Sequence, residues 1–164
     1  MNQPLVFCDI ETTGGSHFSS RVLEVGAIRV EGGRVVASFK SLITPEEPIP
    51  PFISQLTGIR DSDIVGAPKF CDIATELGDI FDGAVFVAHN VRFDYSFLKM
   101  EFERIGVVFR PQLLCTVRLS RALFPQYRSH KLEELIRRHQ LVAPSRHRAF
   151  EDADCLWQFW RLCL

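Results

Sequence analysis

The residues best suited to chemistry are four carboxylates and a histidine. Asp9 and Glu11 stand two apart in FCDIETTG, Asp94 closes AHNVRFD, and His147 and Asp152 stand five apart in HRAFEDAD. Each lies in or beside an apolar stretch, where an uncompensated carboxylate is costly. Carboxylates gathered at the edge of a core need a counter-charge, and a divalent cation is the simplest. An oxygen-rich donor set favours Mg²⁺ or Mn²⁺ over zinc or copper. That combination points to chemistry on phosphates.

Positions i and i+2 of a strand share a face, with Cα atoms roughly 6.5 Å apart. Asp9 and Glu11 can therefore share one ion or grip two neighbouring ones; without metal they repel, and one tends to protonate. Thr12-Thr13-Gly14-Gly15 follows and offers backbone N–H groups and close backbone approach to a ligand. An ordinary strand end with exposed acids and a glycine turn also accounts for this string. Asp94 opens a helix, where a first-turn acid is stabilised by the helix dipole. The neighbouring His89, Asn90 and Phe93 resemble a ligand-lining edge, Phe93 as a base-stacking ring or as core. His147 can take a proton from water near neutral pH. Flanked by Arg146 and Arg148, it also suits a surface loop. Of His17, His130 and His139, His130 is best placed to touch a ligand, with helix capping as the alternative.

The elements that must position these groups follow from periodicity. Pro4–Ile10 reads as a strand ending at the first two acids. Arg21–Val30 and Arg34–Ile43 read as a hairpin turning at Glu31-Gly32-Gly33. Thr44–Pro51 is a proline-rich loop, and Pro51–Leu56 a short helix ended by Thr57-Gly58. Lys69–Phe81 has helical spacing, Ala84–Ala88 reads as a buried strand parallel to the first, and Phe93–Ile105 as a helix. Leu113–Thr116 is a short strand leading into a helix that stops at Pro125. His130–His139 and Phe150–Leu162 are the last helices. Hairpin first, then strands alternating with helices, predicts an α/β fold with a five-stranded mixed sheet covered by helices.

Length and composition suit a single domain over residues 1–164 with a real core. Net charge is −1, but residues 1–91 carry 6 Lys+Arg against 12 Asp+Glu, and residues 92–164 carry 13 against 8. An acidic metal-binding half beside a basic half suits a phosphate polymer; solvated helix faces explain the arginines equally well. The five cysteines form no CxxC pair, and Cys8 and Cys115 read as small core residues, which fits a reduced, cytoplasmic setting. Neither a signal peptide nor a membrane span is expected. Dinucleotide and P-loop signatures, HExxH and zinc-spaced Cys/His clusters are absent from the sequence.

FCDIETTG, VAHNVRFDYSFL and HRAFEDAD, in that order, resemble the three motifs of the DEDDh family of 3′–5′ exonucleases, which includes the epsilon proofreading subunit of bacterial replicative polymerase. RVLEVGAIRV, LTGI and SHKLEELIRRHQL extend the resemblance over nearly the whole chain. It implies a ribonuclease-H-like fold and metal binding by Asp9, Glu11, Asp94 and Asp152, with Asp9 bridging two Mg²⁺ or Mn²⁺ ions. It implies His147 as general base, and Thr12, Thr13, Thr57, His89, Asn90 and Phe93 lining the pocket of the 3′-terminal nucleotide. Thr57 stands where the epsilon subunit has a histidine, which shifts the subfamily and leaves the catalytic set intact.

The implied reaction releases nucleoside 5′-monophosphates from single-stranded or frayed DNA 3′ ends, in proofreading or repair. An RNA-trimming enzyme of the same chemistry and a non-catalytic nucleic-acid binding module remain open. Arg118, Arg121, Arg128, Arg137 and Arg138 are candidate backbone contacts. A polymerase subunit and a homodimer are both compatible as partners. Trp157, Trp160 and Leu164 offer a docking surface or, for the tryptophans, core packing.

Overall fold

The computed structural model describes residues 3–145 and 147–164; Arg146, which flanks His147, lies outside the described residues. One mixed sheet contains β1 (Leu5–Thr12), β2 (Val22–Glu31), β3 (Arg34–Leu42), β4 (Val85–Ala88) and β5 (Gln112–Cys115), in the order β3-β2-β1-β4-β5. β1 pairs antiparallel with β2 and parallel with β4, as the Lys69–Phe81 crossover predicts. The helices are α1 (Pro51–Thr57), α2 (Phe70–Phe81), α3 (Arg92–Arg104), α4 (Thr116–Leu123), α5 (Leu132–His139) and α6 (Ala149–Leu162).

Alternation along β1 divides the core. Val6, Cys8 and Ile10 face Phe70, Leu77, Phe97 and Phe102 of α2 and α3. Leu5 and Phe7 face the other way, into a second cluster with Leu132, Leu156, Trp157 and Trp160 of α5 and α6. Both tryptophans are thus core residues. The β2–β3 turn places Gly32 and Gly33 at φ 55° and 77°, the two positive angles that a tight hairpin turn requires.

The structure differs from the sequence expectations in four places. β1 continues to Thr12, so Glu11 joins Asp9 within the strand; β2 pairs with it beyond Ile10 and extends it. A short 3₁₀ turn at Asp61–Ile64 has no helical period long enough to reveal it. α5 starts at Leu132, because the buried His130 is tied to Ser120 Oγ at 2.8 Å and to the Tyr127 carbonyl at 3.0 Å. Cys115 is half-buried at the start of α4: burial raises its thiol pKa, but the N–H groups of Arg118, Val91, Val117 and Asn90 outweigh that and lower it. No described helix is long and apolar enough to cross a membrane.

Candidate active site

The α6-facing side of β1 carries Leu5, Phe7, Asp9 and Glu11 in turn. Phe7 packs on Trp157 and Trp160, with ring centroids 5.4 and 6.0 Å apart. The next two positions on that face, Asp9 and Glu11, lie toward the N-terminal end of α6. Gly26, the β2 partner of Asp9, makes the close approach feasible. A Cβ at Gly26 would lie 2.2 Å from Phe150 N and 2.3 Å from Phe150 Cα. Only a glycine lets the first turn of α6 rest directly on the sheet. Asp152 belongs to that turn and is 4% exposed. Glu11, His147 and Asp152 consequently bring their ligand atoms within 4.8 Å of one another.

A buried ion pair fixes the entry to α6. Glu24 lies opposite Glu11 on β2 and is fully buried. It accepts from Arg148 Nη2 at 2.8 Å and Nε at 3.1 Å, and from the Ala149 backbone N–H at 3.1 Å. Arg148, the residue preceding α6, makes no capping bond with its own side chain. A carboxylate from the neighbouring strand therefore satisfies one of the helix's unpaired N–H groups and complements its dipole. His147 and Asp152 flank this clamp. His147 itself adopts a left-handed backbone, φ 55°, a conformation costing a non-glycine residue roughly 1–2 kcal/mol.

Asp94 reaches the same strand from α3. β4 pairs with β1 only as far as Phe7↔Val87, which leaves the Ile10 N–H available on that edge. The Asp94 carboxyl accepts from this N–H and from its own. Burial pushes its pKa up to about 8, against the pull of those two bonds, and the Glu11 charge pushes the same way. A carboxyl so placed ionises readily only beside a cation. The two carboxylates and the imidazole of the cluster suit a small divalent cation; Asp9, on the same face of β1, and Asp94, bonded to the Ile10 N–H, are not among these three.

Of the other residues singled out from sequence, the three threonines have their hydroxyls engaged within the fold. Thr12 Oγ1 donates to the Gly14 carbonyl at 2.7 Å. Thr13 Oγ1 donates to Glu47 at 3.0 Å and accepts from the Arg21 N–H, and the Thr13 N–H is bonded to the Arg21 carbonyl. The Thr13 N–H is thus committed to the fold, contrary to its expected role as a ligand donor. Thr57 Oγ1 donates to the Ile53 carbonyl and accepts from the Ile59 N–H, closing α1. His89 Nδ1 lies 3.0 Å from Thr116 Oγ1. Asn90 adopts φ 64° at the junction of β4 and α3, a conformation asparagine tolerates. Phe93 is half-buried against Phe97, ring centroids 4.9 Å apart.

Glu24, Gly26 and Arg148 were not identified from sequence as site residues. The available signal was Glu24 inside the apolar run VLEVGAIRV, an acid that demands a buried partner.

These features define a ribonuclease-H-like α/β domain with an acidic metal-site candidate at the sheet. An exonuclease family model matches residues 6–158, and the chain belongs to that family. It is 38% identical over 154 residues to the 3′-5′ exonuclease DinG of Bacillus subtilis, covering 93% of this chain and 16% of that protein. It is 36% identical over 148 residues to a PolC-type DNA polymerase III of Caldanaerobacter subterraneus subsp. tengcongensis, covering 90% and 11%. The chain thus spans less than a fifth of the length of these relatives. Exonuclease X in complex with 5′ overhanging duplex DNA superposes with a TM-score of 0.76 at 23% identity, over 96% of this chain and 92% of that one. E. coli exonuclease I in complex with a dT13 oligonucleotide gives 0.85 at 19% identity, over 98% and 40%. At these identities the structures establish the shared fold.

Proposed function

We propose that residues 1–164 form one exonuclease domain that hydrolyses DNA from the 3′ end with a divalent metal, releasing nucleoside 5′-monophosphates. The convergence of Glu11 with His147 and Asp152, from two segments far apart in the chain, carries this reading. Membership of the exonuclease family and the names of the relatives support it.

Asp9, Glu11, Asp94 and Asp152 would hold Mg²⁺ or Mn²⁺, as a pair of ions. When bound, such ions stabilise the attacking and leaving oxygens of an in-line displacement and activate water. His147 accepts the water's proton on a ring nitrogen, and the Glu24–Arg148 clamp orients the segment carrying it. Thr12, Thr13, Thr57, His89, Asn90 and Phe93 line the terminal-nucleotide pocket. The hydroxyl bonds of the three threonines make them shape-defining walls, while Phe93 presents a ring to the base.

Matched single-stranded DNA and RNA oligonucleotides labelled at the 3′ nucleotide test the proposal. Mg²⁺-dependent release of labelled mononucleotide, faster from DNA, is expected. Faster release from RNA would transfer the reading to RNA trimming, where the 2′-OH carries the discrimination. Binding without turnover of either would leave a nucleic-acid binding module.

A further inference from the structure

Two cavities adjoin the His89–Asn90 edge, of about 480 and 450 Å³, and share Asn90, Val117 and Arg121. Arg92, Arg118, Arg121, Arg128 and Lys131 line them; Glu133 is the acidic group among the lining residues. All five basic side chains belong to exposed residues. Among the described residues, none of the five forms an ion pair. Elsewhere Arg21, Arg29, Lys40, Lys69, Lys99, Arg104, Arg137 and Arg148 each have a carboxylate partner. Five basic residues without an ion pair among the described residues therefore line adjoining cavities beside the proposed nucleotide pocket of a molecule whose net charge is −1.

The loop carrying Arg128 and Lys131 is built to hold its shape. The buried His130 bridges Ser120 and the Tyr127 carbonyl. Arg138 donates to the Ser129 carbonyl at 2.9 Å, and its guanidinium lies 3.6 Å from the Tyr127 ring centroid. These bonds give Arg138 a structural role, and Arg137 is paired with Glu134 at 2.7 Å. The arginines available to a polyanion are thus 118, 121 and 128, with Arg92 and Lys131 at the flanks.

We propose that this groove binds the phosphodiester backbone of the strand 5′ to the terminal nucleotide, leading it from His89–Asn90 across α4 toward the 128–131 loop. The proposal rests on the exonuclease reading for the direction of the strand. Positive charges along a groove follow a backbone without reading its sequence, so the contacts are sequence-independent and salt-sensitive.

Binding of fluorescein-labelled oligodeoxythymidylates of two and about twelve nucleotides is measured by anisotropy in EDTA, between about 50 and 300 mM salt. The proteins compared are the wild type, the triple variant Arg118→Ser/Arg121→Ser/Arg128→Ser, and a charge control, Arg34→Ser, on the β2–β3 hairpin. At about 0.7 per phosphate contact, loss of three contacts should flatten the log Kd against log salt slope by about two. The longer strand should bind the triple variant about tenfold or more weakly at low salt, and the dinucleotide should lose less. Equal slopes for wild type and triple variant, or an equal loss from Arg34→Ser, would overturn the proposal. The measurement needs no turnover. A flattened slope without degradation of any oligonucleotide would support the groove while sinking the exonuclease reading.

Discussion

Glu11 and Glu24 stand directly opposite each other on β1 and β2, yet their environments diverge. Glu24 is buried and neutralised by Arg148; Glu11 is half-buried and meets His147 and Asp152. Like charges in cross-strand register repel; Arg148 compensates Glu24, and a divalent ion at the Glu11–His147–Asp152 cluster would compensate Glu11.

Removing one partner of this clamp should have unequal consequences at its two ends. Arg148→Ala strands a buried carboxylate and should cost about 3 kcal/mol, at the lower end for broken buried pairs because Arg148 is 35% exposed. Glu24→Gln keeps an acceptor for the Ala149 N–H and leaves Arg148 able to reach water, so it should cost less. Urea unfolding midpoints of both variants check the order; a larger loss for Glu24→Gln contradicts it.

Gly26→Ala tests the contact between sheet and helix. Its methyl would meet Phe150 backbone, which cannot rotate away as a flexible side chain can. Displacement of α6 should cost about 1–3 kcal/mol. Because it also shifts Asp152, exonuclease activity should fall about 100-fold, as reacting groups misplaced by about 1 Å commonly do. Activity within a few-fold of wild type in a folded Gly26→Ala protein contradicts this positioning.

Asp94 predicts a pH dependence of the metal-free protein. Its folded pKa, about 8, exceeds the ordinary value of 3.8, so the folded state binds the extra proton between them. The stability contributed by this group is complete below pH 3.8 and is lost as pH rises to about 8. Asp94→Asn mimics the protonated form. In EDTA it should melt above wild type near pH 8 and converge with it toward pH 4, by calorimetry. A difference independent of pH contradicts the assignment.

The left-handed backbone at His147 separates fold from function. His147→Gly should relieve strain and leave stability unchanged or raised by up to about 1 kcal/mol, while activity is lost. Thermal unfolding that is clearly earlier than wild type would show that the histidine holds the fold together.

Most of this architecture is legible in the sequence, because local chemistry and tertiary packing agree. The β2–β3 hairpin announces itself through Gly32-Gly33, and α2 and α6 through helical spacing. Asp9 and Glu11 share a face by strand geometry alone. Harder to read are relationships across chain-distant segments. Neither Gly26 nor Arg148 carries a local motif revealing that one accommodates Phe150 and the other neutralises Glu24, 124 residues away. The surface arginines look alike in sequence, and only the fold separates the structural Arg138 from the open Arg121.

The most direct test of the central claim, that these acids and His147 form one metal-dependent nuclease site, is hydrolysis of 3′-labelled single-stranded DNA under Mg²⁺. Wild type should release mononucleotide and stop on addition of EDTA. Asp9→Ala, Asp152→Asn and His147→Ala should each lose about 100-fold or more, the scale of a positioned acid–base or charge-stabilising group, while remaining folded. Wild-type rates in these folded variants, or undiminished hydrolysis in EDTA, would contradict it.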